Sequence, residues 1–447
     1  WNSFFKKIKM NRISFYFKFS LVLFLSINTI FSQDSNHSLK VLSNPQGTDY
    51  WWLEKNNRGK SVVNTEIEYK WTFKKKDTLI KISLSNAYKD YRSIHTFNKP
   101  PINSDAYPDV IDYNIKNWLW LGETFIEQKF GKEKSIKLGK YYRDFSTYLN
   151  DNLSSGSMIT SFNAPPVPKI GFLGMKTFNK KISLNYSISH GVLANEGYYT
   201  KKPFLHEKFI YLNIKKNSEK KFSFGLVHAA IWGGATPESG DHPSSFKDFL
   251  KVVISDDGPY SPPHANSLGS HLGIWDFFYE KTNNEKVAKF YYQHFFEDTS
   301  SLRFANGLDG LWGVELNNYL PNTNLLLEYV DTTNSSSTTD YGNDFYYWNF
   351  QYRLGWAYKD KIIGNPFINT NFFTEEQFIK VVHFGIESNF LSSNFGLKLS
   401  RDTNINDALK YKVNIDKSIA NNITINTFIV GEESKIGFGL GFTFTLE

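Results

Sequence analysis

The chain has 447 residues, of which 17% are aromatic (40 Phe, 26 Tyr and 11 Trp), yet its mean hydropathy is only −0.42, a combination that points to alternation rather than apolar blocks. The formal charge of +7 is concentrated in residues 1–33, where Lys6, Lys7, Lys9, Arg12 and Lys18 stand without an acid, leaving 46 basic against 44 acidic residues in the rest and no case for nucleic-acid binding. Cysteine is absent, which excludes a disulfide framework, a thiolate nucleophile, a zinc knuckle and lipoprotein acylation.

In chain order, the basic start leads into an apolar run from Phe19 to Phe31, followed by Ser32 and Gln33. That run is shorter than the roughly 20 residues a membrane helix needs, so 1–32 reads as a secretory signal peptide, with Met10 as an alternative start. Residues 33–49 are expected to form a short periplasmic segment, and 50–447 an outer-membrane barrel. No later stretch has the length and apolarity of a spanning helix, so insertion must be by strands.

From about residue 60 the apolar pattern has period two. Seventeen segments begin near residues 62, 78, 118, 134, 170, 181, 205, 221, 268, 287, 310, 324, 378, 392, 409, 422 and 435. In the last of them Ile436, Phe438, Leu440, Phe442, Phe444 and Leu446 alternate with glycine and threonine, one greasy face against one small face. Connections alternate too: 179–180, 217–220 and 283–285 are short, whereas 191–204, 231–267 and 299–309 are long. Short turns face the periplasm and long loops face outside in barrels of this kind. Parity then requires a strand before residue 62, for which Tyr50, Trp51, Trp52 and Leu53 are the candidates. It also puts 333–377 in one outer loop, although 345–358 could itself be a strand. The expected fold is an all-β, closed antiparallel transmembrane barrel of 18 strands with long extracellular loops; a 16-stranded porin-like barrel is the alternative.

Three regions concentrate chemistry at the outer end. The first holds Trp232, Gly233, Gly234, Glu238, Asp241, His242, Asp248, Asp256 and Asp257; the second Gln293, Glu297, Asp298, Arg303 and Asp309; the third Glu328, Asp331, Asp340, Asn343, Asp344, Tyr346, Tyr347, Trp348, Tyr352, Arg353 and Trp356. Carboxylates and amides near aromatic rings suit a sugar, giving paired hydrogen bonds to hydroxyls and an apolar ring against the C–H face. The plainer reading is an interfacial aromatic girdle and solvated loop polars. His242, His264 and His271 show no metal-ligand spacing, Asp256-Asp257-Gly258 is only a fragment of a calcium loop, and no nucleophile elbow is present. No cofactor, metal or catalytic residue is expected.

Several stretches carry a resemblance: LGKYYRDF and LSSGSMITSFNAPPVPKIGF (138–145 and 153–172), FLHEKFIYL (204–212), GLVHAAIWGG (225–234), NSLGSHLGIWDF (266–277), FYYQHFFEDTSSL (290–302), LDGLWGVE (308–315), LLLEYVDTT (325–333) and YGNDFYYWNFQYRLGWAY (341–358). On these the chain resembles the Wzi family, outer-membrane proteins of capsule assembly. The resemblance implies an 18-stranded barrel and a lectin without catalysis that helps attach or organise capsular polysaccharide or exopolysaccharide at the surface of a Gram-negative cell. Enterobacterial members carry a periplasmic helical bundle, for which 33–49 is too short.

The residues expected to bind polysaccharide are Trp232, Asp241, Gln293, Glu297, Asp298, Arg303, Glu328, Asp331, Asn343, Asp344 and Trp348. Expected partners are that polysaccharide, outer-membrane lipid and lipopolysaccharide, and other capsule export proteins. The competing function is a porin or polysaccharide export channel.

Overall fold

The computed structural model describes residues 35–45, 50–96, 110–115, 119–145, 148–194, 198–237, 239–258, 267–297, 299–334, 346–349, 351–369, 378–390, 392–405 and 407–446. The expected signal peptide 1–32 lies outside them.

Eighteen antiparallel strands close on themselves. Strands β1 (Ser35–Ser43), β2 (Thr65–Lys75), β3 (Thr78–Ser85), β4 (Thr124–Phe130), β5 (Lys134–Tyr141) and β6 (Val167–Thr177) form the first third. A short piece, Trp120–Leu121, pairs with β3 just ahead of β4. The middle third is β7 (Ile182–Val192), β8 (Phe204–Lys215), β9 (Lys220–Trp232), β10 (Ser270–Asn283), β11 (Lys286–Phe296) and β12 (Gly310–Asn317). The last is β13 (Thr323–Asp331), β14 (Lys380–Phe390), β15 (Ser393–Asp402), β16 (Leu409–Ala420), β17 (Ile423–Glu432) and β18 (Lys435–Leu446). Each strand pairs with its sequence neighbours, and β1 closes the ring against β18 with Leu39 opposite Phe444 and Val41 opposite Phe442.

All seventeen segments expected from the periodicity are strands, sixteen of them starting within three residues of the expected position; the one expected near 118 is β4, which starts at Thr124 behind the short Trp120–Leu121 piece. The eighteenth is not the expected one. Tyr50, Trp51, Trp52 and Leu53 do not form a strand; Trp51–Glu54 is a single helical turn, α1, whereas the stretch assigned to a periplasmic spacer, 33–49, contains β1. Four adjacent bulky residues do not alternate, while Leu39 and Val41 flanking Lys40 do, and that supplies two lipid-side residues around one lumen-side charge. The barrel therefore starts at Ser35 rather than residue 50.

Faces follow parity without exception along the clearest strands. Ile436, Phe438, Leu440, Phe442 and Phe444 are exposed on the outside, as are Ile188, Ile210, Phe224, Phe290 and Leu327 on distant strands. Among the described residues nothing packs over this belt, which is what lipid covers. Among the described residues no helix is long and apolar enough to cross a membrane, so the strands are the spanning elements. At the outer end Trp275, Tyr292, Trp312 and Tyr329 form an aromatic band on the outside, with Tyr292 and Trp312 stacked at 3.8 Å between centroids. The lumen face carries the charges, several of them paired, such as Lys60 with Glu66 at 2.5 Å and with Glu68 at 3.0 Å, and Lys169 with Glu207.

Candidate functional site

The outer lumen is filled by two of the protein's own loops, and the sequence explains why they turn inward. Residues 142–166, between β5 and β6, hold five serines, and Gly156 and the pair Pro165-Pro166 interrupt any strand alternation, which leaves backbone donors free to bond the wall. Residues 346–369, part of the connection between β13 and β14, supply large aromatics. The two loops lock together: the Asn365 amide donates to the Gly156 carbonyl at 2.7 Å, the Trp356 indole to Ile159 at 2.8 Å, the Asn163 amide to Ile362 at 2.9 Å and the Ser161 hydroxyl to Gly364 at 2.6 Å. Tyr347 donates to the Met158 carbonyl and accepts the Asn365 N–H at 2.8 Å; full burial pushes its phenol well above the usual range, so it stays a donor.

Close approach at this junction demands glycine at two positions. A Cβ on Gly364 would stand 2.2 Å from the Tyr347 hydroxyl, and one on Gly156, whose φ is +122°, 2.9 Å from the Ser161 Cβ.

The plug is bolted to the inner wall by side chains that point inward from β11 to β14. Glu315 accepts the backbone N–H groups of Leu149 and Asn150 at 2.8 and 2.9 Å. Glu328 accepts the Ser155 N–H at 2.6 Å, the Ser154 hydroxyl at 2.7 Å and the Tyr291 hydroxyl at 2.6 Å. Gln293 takes the Met158 N–H at 3.2 Å, and the Nε2 of His383 donates to the Leu153 carbonyl at 2.6 Å. Deeper in the lumen the Asn150 amide reaches Glu387 at 2.5 Å. Around these bonds Met158, Ile159, Tyr347, Trp356, Phe295 and Ile274 pack into one apolar cluster with almost no exposure. The outer lumen is thus packed like the core of a soluble domain.

The rim is sewn together above the plug. Asp309 accepts the Asn334 N–H at 3.0 Å, its amide at 2.9 Å and the Tyr346 hydroxyl at 2.9 Å, joining loop 297–309 to loop 332–379. Burial raises the Asp309 carboxyl to about 6 despite those donors. Tyr352 donates to the Gly233 carbonyl at 3.0 Å, tying the plug to the loop after β9.

This geometry sorts the residues expected to bind polysaccharide. Gln293 and Glu328 face the lumen as parity requires, but both are buried plug anchors and offer no free edge to a ligand. Trp232 is also withdrawn: it faces outside the barrel and is buried against Phe249 and Leu268. Asp241 is exposed and paired with Lys201; Arg303 is exposed. Glu297, Asp331 and Trp348 are half-buried at the rim, Asp331 accepting from the Tyr329 and Thr333 hydroxyls at 2.8 and 2.7 Å. Asp298, Asn343 and Asp344 lie outside the described residues. Sequence reading missed the anchoring role of Glu315, His383 and Glu387. The signal available was lumen-side parity at positions too polar for a dry core. Among the described residues no group of three or more His, Asp or Glu is placed to hold a metal.

A family described as capsule assembly protein Wzi matches residues 153–425. Among solved structures the chain is similar to Wzi of Escherichia coli, an outer-membrane protein involved in group 1 capsule assembly and described as a carbohydrate-binding β-barrel. The identity is 13% over 92% of this chain and 84% of that one, with a TM-score of 0.58. OccAB4 of Acinetobacter baumannii follows at 10% identity, 92% and 97% coverage and a TM-score of 0.41, and a Rhodopseudomonas blastica porin variant at 8%, 92% and 98%, and 0.35. No curated protein matches this chain.

Proposed function

Since this chain belongs to the Wzi family of capsule assembly proteins, we propose that it is a non-catalytic, lectin-like barrel that binds capsular or other exported polysaccharide with its outer loops and helps hold it at the cell surface. It spans the outer membrane through its 18 strands. Export by residues 1–32 as a signal peptide belongs to the same proposal, as does contact with lipopolysaccharide and other capsule export proteins.

The observation that carries the reading is the plug. A pore needs a continuous aqueous lumen, but here Glu315, Glu328, Gln293 and His383 all bind loop 142–166, which occupies the outer lumen. What the barrel leaves for a large ligand is its rim. There Asp241, Arg303 and Asp331 supply charged hydrogen-bonding edges, and Glu297 and Trp348 are half-exposed. Carboxylate and guanidinium groups grip hydroxyl pairs in parallel, and an aromatic face accepts the apolar side of a sugar ring.

The test is binding of the purified barrel to polysaccharide from its own host. D241N, R303A and D331N, alone and together, are expected to weaken binding while heat-modifiable migration on gels stays that of a folded barrel. Deletion of the gene is expected to release polysaccharide into the medium with the total unchanged. Wild-type binding in the triple variant, with no shift of polysaccharide from cells to medium in the deletion, would reject the proposal. The channel reading is separated by planar-bilayer recording, where the plugged barrel is expected to be nearly silent.

A further inference from the structure

One helix sits on the wrong side of the wall for a surface loop. Residues Phe246–Ile254, α2, form a complete helix: Ser245 and Asp248 make a reciprocal cap at its start, and Ser255 closes its end at φ +58°. Its inner side rests on the outside of the barrel. The Phe249 ring lies 5.3 Å from that of His190, 5.6 Å from His206 and 5.8 Å from Trp232, and all three share the outward parity of Ile188 and Phe224.

The helix descends along that wall. Its start is at the rim, where Ser244 abuts Gly233, and its last turn reaches Lys208 and His228, register partners four residues below the Phe204–Trp232 pair. The Lys208 ammonium, on the lipid side of β8, donates to the Val253 carbonyl, and the Ser255 hydroxyl meets His228 at 3.1 Å. A lysine that would otherwise face hydrocarbon thus finds the carbonyl end of the helix. Lys208 is also the register partner of Ile188, which belongs to the exposed apolar belt.

Among the described residues nothing covers the other side of α2. Phe246, Leu250 and Ile254, spaced four apart, are 75%, 49% and 73% exposed, next to exposed Lys247. Loop 299–309 repeats the arrangement: Leu302, Phe304 and Leu308 are exposed, and the loop is fastened to outward-facing side chains. Phe304 stacks on His294 at 3.8 Å, the Trp275 indole donates to Leu302 at 3.2 Å and the Trp312 indole to Leu308 at 3.4 Å.

We propose that α2 and the apolar side chains Leu302, Phe304 and Leu308 of loop 299–309 form a lipid-facing collar outside β7 to β12, with Phe246, Leu250 and Ile254 immersed at the boundary between headgroups and acyl chains of the outer leaflet. The occupant follows from continuity. The stripe runs directly into the belt that lipid already covers, and its polar flank carries lysines, the pattern of a helix lying in a membrane interface.

The absence of cysteine makes the test clean, because single-cysteine variants carry one nitroxide each. F246C, L250C, I254C and L308C, with K247C as the solvent-side control, are labelled in the full-length protein and reconstituted in phosphatidylethanolamine–phosphatidylglycerol vesicles. The expected result is relaxation by oxygen exceeding relaxation by a water-soluble nickel chelate at 246, 250, 254 and 308, with the order reversed at 247. Nickel access at all five positions would overturn the collar, and so would shielding that disappears when the protein is diluted in lipid, which would make the occupant a second copy. A triple F246S/L250S/I254S variant serves as the second readout: it is expected to keep its barrel and lose protection of α2 against protease in vesicles, and unchanged protection would also overturn the proposal.

Discussion

The carboxylate of Glu328, on the inner face of β13, receives the backbone N–H of Ser155 at 2.6 Å, and so joins the barrel wall to a loop 173 residues earlier in the chain. Two further donors, the Ser154 and Tyr291 hydroxyls, complete its shell. Replacement by alanine strands all three donors in a site that excludes water, at a cost of about 3 kcal/mol. E328A is expected to lower the thermal midpoint and to show conductance steps in planar bilayers that the parent protein lacks.

The loop junction offers a test that leaves the wall alone. G364A drives a methyl group into the Tyr347 hydroxyl and the Met158 carbonyl, 2.2 and 2.6 Å from where the Cβ must lie. Overpacking of this kind costs about 1–3 kcal/mol. The expected signature is faster amide exchange in 153–163 and 346–365, with strand protection retained.

Asp309 makes the rim pH-sensitive. Its folded-state carboxyl titrates near 6, above its ordinary value of 3.8, because burial opposes the charge. A group raised in the folded state contributes stability that is complete below the ordinary value and is lost as pH rises through the folded one. The junction of loops 297–309 and 332–379 is therefore expected to be tightest below about pH 4 and to loosen by about 2–3 kcal/mol as pH rises from there through 6, with no further change above. Protease sensitivity of the 299–309 segment, followed from pH 4 to 8, measures this. D309N should flatten the profile.

The lipid face is tested on the last strand. Phe442 points outward from the middle of β18, opposite Val41 of β1 and Ile425 of β17. F442R is expected to destabilise the inserted barrel by about 2–4 kcal/mol, whereas T443N, on the lumen side next door, should be tolerated. Urea titration in lipid vesicles distinguishes the two.

Most of the cylinder is legible in the sequence because lipid enforces it. A strand with solvent on one side and hydrocarbon on the other must alternate, and Ile436 to Phe444 do so at every step. β1 escaped because its outward pair, Leu39 and Val41, is a weak signal beside the aromatic run at 50–53. That run proved to be a plug element: Trp52 packs with Phe428 and Val430 inside the lumen. The candidate site was less legible. Parity alone turns Gln293 and Glu328 inward, but nothing local reveals that residues 154–158 return to bond them. Nor does the sequence show that Trp232 is covered by a helix outside the wall. Both outcomes rest on contacts between positions far apart in the chain, where periodicity is silent.

The seam between β1 and β18 sets a condition on biogenesis. Leu39 and Phe444 stand about four hundred positions apart, so the ring is finished by its most distant pairing, which is the slowest kind to find. Until it forms, two edges with open backbone donors and acceptors are available to any other extended chain. Loss of β18 would leave β1 and β17 each with one unpaired edge, producing an aggregating sheet rather than a slightly weaker barrel.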